Sequence, residues 1–167
     1  MDKGKEILKA WNIINKTFIE CGRLCNDFKL LFQERLKDLG TDSSPYLFKP
    51  SNYHLYSCFW DYLYKEKDEK RVEAFILEIL FDPIKLEHDF NSEEPLLIVM
   101  RCLFDKEFWD TSEKVFYSDL EEAVINFINN KGNSNQNIRF LKGPFIIPLF
   151  QITNKNDLEE KIINRLL

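Results

Sequence analysis

The chain has 167 residues, of which 44% are hydrophobic and 14% aromatic, with only 5 glycines and 6 prolines. This composition is typical of an ordered globular protein and excludes the disordered and fibrous classes, and the length predicts a single domain over residues 1–167. With 23 basic and 28 acidic residues, the net charge of -5 gives no general attraction to phosphate backbones or anionic membrane surfaces. We therefore expect neither nucleic acid nor a membrane as the partner.

The amino-terminal residues do not form the solid apolar run of a secretory signal, and no stretch approaches the roughly 18 apolar residues of a membrane span. The four cysteines are few for this length and lie in apolar segments, which indicates reduced, buried thiols rather than a disulfide framework. We therefore expect a cytoplasmic protein. The cysteines are Cys21, Cys25, Cys58 and Cys102.

Residues 1–39 are predicted to form one long amphipathic helix, because their apolar residues recur at alternating steps of four and three. Polar residues occupy the opposite face in the first half, whereas Leu24 and Leu31 widen the apolar face in the second half. The second half is therefore expected to be more deeply buried. The apolar stripe consists of Ile7, Trp11, Ile14, Phe18, Cys21, Cys25, Phe28 and Phe32.

Residues 46–167 are predicted to form an α+β body, in which the long helix is followed by elements in the order β, β, β, α, β, α. Alternating aromatic residues predict a strand over residues 55–64, although helical spacing fits part of this segment, and residues 72–81 form its hairpin partner. A third strand over residues 95–104 is apolar on both faces and is expected in the centre of the sheet.

The last third of the chain predicts two helices and a strand. A capping box predicts a helix over residues 119–130, and an asparagine cap predicts a final helix over residues 157–167. Between them lies an apolar strand over residues 145–152, where Pro148 indicates an edge position or a bulge, because proline cannot donate to the ladder. The two predicted caps are Ser118 and Asn156.

The predicted fold class is therefore α+β, with a long amino-terminal amphipathic helix packed on, or projecting from, a mainly antiparallel sheet of about four strands. Aromatic residues and cysteines in the stripe favour packing against a sheet over a plain coiled-coil dimer. A helix of about 37 residues would nevertheless span ~55 Å, more than the ~40 Å diameter of a compact chain of this length. Either the helix bends or breaks near Gly22, or its end projects and meets a partner.

No sequence motif identifies a catalytic residue, a cofactor site or a metal site. The sequence has no glycine-rich phosphate loop, no G-x-S-x-G elbow and no H-E-x-x-H. Two cysteines of the helix with His54 and Cys58 would give a Cys3His zinc set, but their spacings are not those of common zinc loops. Glu73 and Glu78 are expected to face solvent or a sheet edge rather than to form the acidic centre of a nuclease.

The first functional hypothesis is a non-enzymatic interaction or assembly protein that binds another protein or a second copy of itself. Immunity or inhibitor-type proteins and accessory subunits of defence systems are examples of this class. The long helix would supply an apolar surface, and an acidic segment would steer basic partner surfaces. The candidate interaction residues are Ile7, Trp11, Ile14 and Phe18 of the helix, with Glu87, Asp89, Glu93 and Glu94 of the acidic segment.

The alternative hypothesis is a small-ligand sensor or an enzyme. Its pocket would lie between the aromatic face of the first strand and the amino-terminal helix, since aromatic faces line pockets as well as fill cores. The candidate pocket residues are His54, Tyr56, Trp60 and Tyr62.

Overall fold

A computed structural model of the chain describes residues 3–36, 58–81, 95–111, 116–128 and 135–167. It confirms the predicted α+β class, with a long amino-terminal helix and a four-stranded sheet. A short helix, α2, was not predicted. The elements in chain order are α1 (Lys3–Arg35), β1 (Cys58–Asp68), β2 (Arg71–Leu80), β3 (Leu96–Asp105), α2 (Lys106–Thr111), α3 (Phe116–Ile128), β4 (Ile138–Pro148), a 3-10 turn (Leu149–Gln151), α4 (Lys155–Leu158), a π-helical turn (Glu159–Ile163) and α5 (Asn164–Leu166).

The sheet is antiparallel throughout, in the order β1-β2-β3-β4. The predicted hairpin of β1 and β2 is confirmed, with Leu63 opposite Phe75, and β3 lies centrally as its two apolar faces predict. The edge position predicted from Pro148 is also confirmed, because this residue ends the edge strand β4. The predicted start of that strand at residue 145 was wrong, since β4 begins at Ile138.

The two faces of the sheet carry separate cores, because side chains alternate along each strand. On β2, Phe75, Leu77 and Ile79 face the second half of α1 and the carboxy-terminal helical segment, which comprises α4, the π-helical turn and α5. The intervening Ala74 and Ile76 face α2 and α3. The described helices therefore form two layers, one on each side of the sheet.

Helix α1 is continuous through Gly22, so the break considered from the sequence does not occur. Apart from its two chain neighbours and the adjacent backbone of α1, no atom of the described residues lies within 4 Å of the position that a Cβ at Gly22 would occupy. The helix ends at Arg35 rather than at residue 39, while the side chain of Leu36 still packs against the core. Residues 37–39 lie outside the described part of the chain. At about 1.5 Å per residue, the 33 residues of α1 extend about 50 Å.

The carboxy-terminal helical segment begins at an asparagine cap two residues earlier than predicted. The side-chain oxygen of Asn154, not that of Asn156, accepts a hydrogen bond from the Asp157 N–H at 3.0 Å. Asp157 in turn accepts from the hydroxyl and N–H of Thr153, which with Lys161 lowers the pKa of its carboxyl to about 2. The other predicted cap was also wrong, because Ser118 lies inside α3.

Two carboxylates expected at the surface are buried, which corrects the sequence prediction. Glu78 and Glu73 both lie inside the fold, and Glu73 is fully buried. Its Oε1 accepts from Nε and Nη2 of Arg101, both at 2.6 Å, and two lysine ammonium groups of β1 lie 3.5 and 3.9 Å from Oε2. Nη1 of Arg101 donates to the carbonyls of Leu166 and Leu167, each at 3.1 Å. Arg101 therefore pairs with the buried carboxylate through Oε1, while Oε2 accepts no hydrogen bond from the described residues. The same arginine links the last helix to the sheet.

Candidate interaction surface on the long helix

The second half of α1, residues 21–35, is anchored to the body by aromatic packing and polar contacts. Phe28 and Phe32 are fully buried, and the ring centroid of Phe32 lies 4.6 Å from that of Phe75 on β2. Near the end of the helix, Arg35 forms an ion pair with Glu159 and donates to the side chain of Asn164 at 2.8 Å. We call residues 21–35 the buried half.

Residues 3–20, the exposed half, carry the same apolar stripe beyond the region that the sheet covers. Ile7 is 71% exposed and Trp11 is 63% exposed, and every side chain from residue 3 to residue 13 is exposed. Ile14 and Phe18 are half-buried, and the ring of Phe18 contacts that of Phe81 at 6.2 Å between centroids. Burial of the stripe therefore decreases toward the amino terminus, while the spacing of its residues stays the same.

From residue 5 to residue 20, the lysines of the exposed half lie away from the stripe. At about 100° per residue, Lys5, Lys9 and Lys16 fall on the opposite side of the helix. In a heptad whose core positions are the stripe, the flanking positions from residue 8 to residue 17 are occupied by uncharged residues, whereas Lys3 occupies a flanking position in the first turn. The uncharged residues are Leu8, Ala10, Asn15 and Thr17. Between residues 7 and 18 the apolar surface is thus bordered by neutral side chains, and lysines lie on the opposite side of the helix.

Leaving an apolar stripe of this kind in water is energetically unfavourable for a single chain. Isolated helices shorter than about 12–15 residues are marginally stable in water, since most helical stability in proteins comes from packing of an amphipathic face. The exposed half is anchored through the buried half, but Ile7 and Trp11 remain in water. Covering these side chains would offset the conformational entropy lost on ordering the segment.

A groove lies between α1 and the segment that follows β4. It has a volume of about 440 Å³ and is lined by the cationic side chains of Lys16, Arg23 and Lys155 and by the acidic side chains of Glu20 and Asp27. Arg23 and Glu20 already pair with each other at 2.6 Å. Within the described residues, the lining holds no buried polar atom that lacks a hydrogen bond. Nothing in this lining selects a ligand class.

A pocket was predicted between the aromatic strand face and α1. Of its four candidate residues, only Tyr62 has a side chain in the described part of the chain. The Tyr62 ring packs against that of Trp109 of α2, with 5.6 Å between the ring centroids, on the face of the sheet opposite to α1. His54 and Tyr56 lie outside the described residues, as does the side chain of Trp60. Tyr62 therefore fills a core between the sheet and α2.

The predicted acidic segment also lies outside the described part of the chain, so its role in binding stays a prediction. Its four candidate residues are Glu87, Asp89, Glu93 and Glu94.

The described cysteines are buried within the two cores. Cys21 and Cys25 point from α1 into the core on one face of the sheet, and Cys102 lies in the core on the other face. Burial, and then the neighbouring Glu20, raises the pKa of the Cys21 thiol to about 11, and burial raises the pKa of Cys102 as well. The thiols of Cys21 and Cys102 are therefore protonated at neutral pH and poorly suited to nucleophilic chemistry.

Over the described ranges, no group of three or more His, Cys, Asp or Glu side chains is arranged to hold a metal ion. Among the helices of these ranges, none has both the length and the apolar character that crossing a membrane requires. Comparison with protein-family models, with curated proteins and with solved structures gave no match.

Proposed function

We propose that the chain is a non-enzymatic interaction protein, in which the exposed half of α1 docks onto a protein surface while the rest of the chain holds the helix in place. The single observation that carries this proposal is the continuation of one apolar stripe from the buried core into solvent, through Phe18 and Ile14 to Trp11 and Ile7. Large aromatic side chains such as Trp11 are enriched among the residues that dominate binding energy at protein interfaces.

The anchoring of the buried half supports this role. Phe28 and Phe32 fix the direction of α1, so the exposed half is presented as a helix and little ordering is required at the moment of binding. A helix that lays its apolar face into a groove or against another helix is a common mode of protein recognition. The alternative hypothesis, a small-ligand pocket beside His54, stays a prediction.

Photocrosslinking in cells that naturally produce the chain tests the proposal. A photoreactive benzoylphenylalanine replaces Trp11 in one variant and Lys9, on the lysine side of the same helical turn, in a matched control. We expect a discrete covalent adduct with a protein from position 11 and a yield at least tenfold lower from position 9. Equal adduct patterns from both positions, or adducts from neither, would contradict the proposal.

A further inference from the structure

We infer that Arg35, at the end of the buried half of α1, is a positioning residue for the exposed half. Its side chain restricts the angle between α1 and the carboxy-terminal helical segment, and so determines where the exposed half lies. Because Arg35 would aim the proposed binding surface, this inference rests on the proposed function. The feature that carries it is the π-helical turn Glu159–Ile163, a rare element that interrupts the carboxy-terminal helical segment.

The π-helical turn brings two partners of Arg35 to one side of the segment. The backbone N–H of Asn164 donates to the carbonyl of Glu159, five residues earlier, which is the hydrogen bond that defines a π-helix. In an α-helix of 3.6 residues per turn, side chains five residues apart would point about 140° apart. The wider turn instead places the Glu159 carboxylate and the Asn164 amide within reach of a single guanidinium.

The hydrophobic core holds this turn in place independently of Arg35. Leu158, Ile162 and Ile163 are all buried, although two of them are adjacent in the chain. In a regular α-helix Ile163 would point about 140° away from Leu158, whereas the π-helical turn brings it toward the same face. Burial of both isoleucines therefore favours the π-helical register, and the two partners of Arg35 are fixed by the packing beneath them.

Arg35 contacts both partners at once. Its Nη2 pairs with the Glu159 carboxylate, and its Nη1 donates to Oδ1 of Asn164 at 2.8 Å. A guanidinium is planar and presents its donors in a fixed geometry, so two simultaneous contacts restrain direction as well as distance. The side chains of Arg35 and Glu159 are each about one third exposed, so their pairing adds little to stability. A distribution of angles nevertheless narrows once a restraint exceeds thermal energy.

The place of Arg35 on the helix makes a small restraint effective. Phe28 and Phe32 hold α1 against the sheet, but they lie about one turn apart, and apolar contact is non-directional. Trp11 lies about 26 Å from Phe28 along the helix, so a swing of about 10° about Phe28 would move Trp11 by about 4–5 Å. The groove that borders residues 16–27 of α1 leaves room for this swing. Arg35 opposes it from the other side of Phe28.

Pulsed electron paramagnetic resonance on the full chain tests the inference. Nitroxides replace Lys9 and Lys142, which are exposed on α1 and β4, through a ketone-bearing amino acid that leaves the native cysteines unlabelled. We expect Arg35→Met, which keeps the aliphatic stem and removes the donors, to make the distance distribution at least twice as wide. The matched control Arg23→Met should leave the width unchanged, because Arg23 pairs with Glu20 inside α1.

Asn164→Ala is the second variant, since it removes one contact of Arg35 and keeps the ion pair with Glu159. It should also widen the distribution, while its thermal unfolding, followed by circular dichroism, stays close to that of the unsubstituted chain. A distribution that stays narrow in Arg35→Met, or equal widening by Arg23→Met, overturns the inference. Loss of the folded body in both Arg35→Met and Asn164→Ala overturns it as well, because the role of Arg35 would then be structural.

The distance measurement contains no partner, so its outcome does not depend on whether the exposed half binds a protein. Widening in Arg35→Met without photocrosslinked adducts from position 11 would overturn the proposed function and leave Arg35 as the residue that positions α1. Adducts from position 11 with an unchanged distribution in Arg35→Met would overturn the inference and leave the proposed function intact.

Discussion

The two halves of α1 have the same periodicity but contrasting environments. In the buried half, Phe28 and Phe32 are completely removed from water and pack against each other and against Phe75. In the exposed half, Ile7 and Trp11 occupy the equivalent stripe and remain largely in water. The contrast teaches that a regular apolar stripe specifies a helix and the side of it that will be covered. What covers that side depends on how far the sheet extends.

The two halves are expected to differ most in how much a substitution lowers the free energy of unfolding. Phe32→Ala should lower the free energy of unfolding by about 3–5 kcal/mol, because it removes a fully buried ring and leaves a cavity between α1 and β2. Trp11→Ala, measured on the same chain at low concentration, should change it by no more than about 0.5 kcal/mol. Urea denaturation followed by circular dichroism gives both values. Similar losses for the two variants would mean that the exposed half is covered within a single chain.

The polar contacts between the sheet and the last helix test the stability of the body against which the buried half of α1 packs. Arg101→Ala should lower the free energy of unfolding by about 3 kcal/mol, because it leaves Glu73 buried without its closest partner. The lysines near Oε2 and the partial exposure of Arg101 keep the loss at the lower end of the range for buried ion pairs.

The double variant Glu73→Leu with Arg101→Met is the control for this prediction, since it removes both charges and keeps apolar volume in the site. It should lose less stability than Arg101→Ala in the same denaturation experiment. A double variant that is less stable than Arg101→Ala would show that the charges themselves, and not the unpaired carboxylate, determine the effect.

The smallest effect is expected at the junction of the two halves. Gly22→Ala should raise the free energy of unfolding by about 0.5–1 kcal/mol, because alanine loses less conformational entropy than glycine in a helix. The added methyl group has room at this exposed position, where no described atom beyond the two chain neighbours and the adjacent backbone of α1 lies within 4 Å of it. Thermal unfolding of the two chains side by side measures the change. A loss of stability would indicate that the helix bends at Gly22 when the chain is in solution.

Much of the fold could be predicted from the sequence, because the signals involved are local. The stripe predicted α1, alternation predicted the hairpin of β1 and β2, and an apolar run on both faces predicted the central place of β3. Where the local signals were weaker, the predicted boundaries of the elements were wrong. Ile138 and Phe140 belong to β4. The start of this strand was not predicted, because a polar loop precedes these residues and Gly143 follows them. The cap at Asn154 was assigned two residues late, because neighbouring asparagines carry the same signal.

The candidate surface was only partly predictable. The sequence by itself determined that α1 is a long helix, which face carries its apolar residues and that its second half is more deeply buried, because backbone geometry fixes a period of 3.6 residues wherever a helix forms. Only the tertiary structure decided where burial along that face stops, that Glu73 is enclosed with Arg101, and that Tyr62 packs against α2 instead of facing α1. Such outcomes depend on residues far apart in the chain, and a local pattern carries no information about which of them meet.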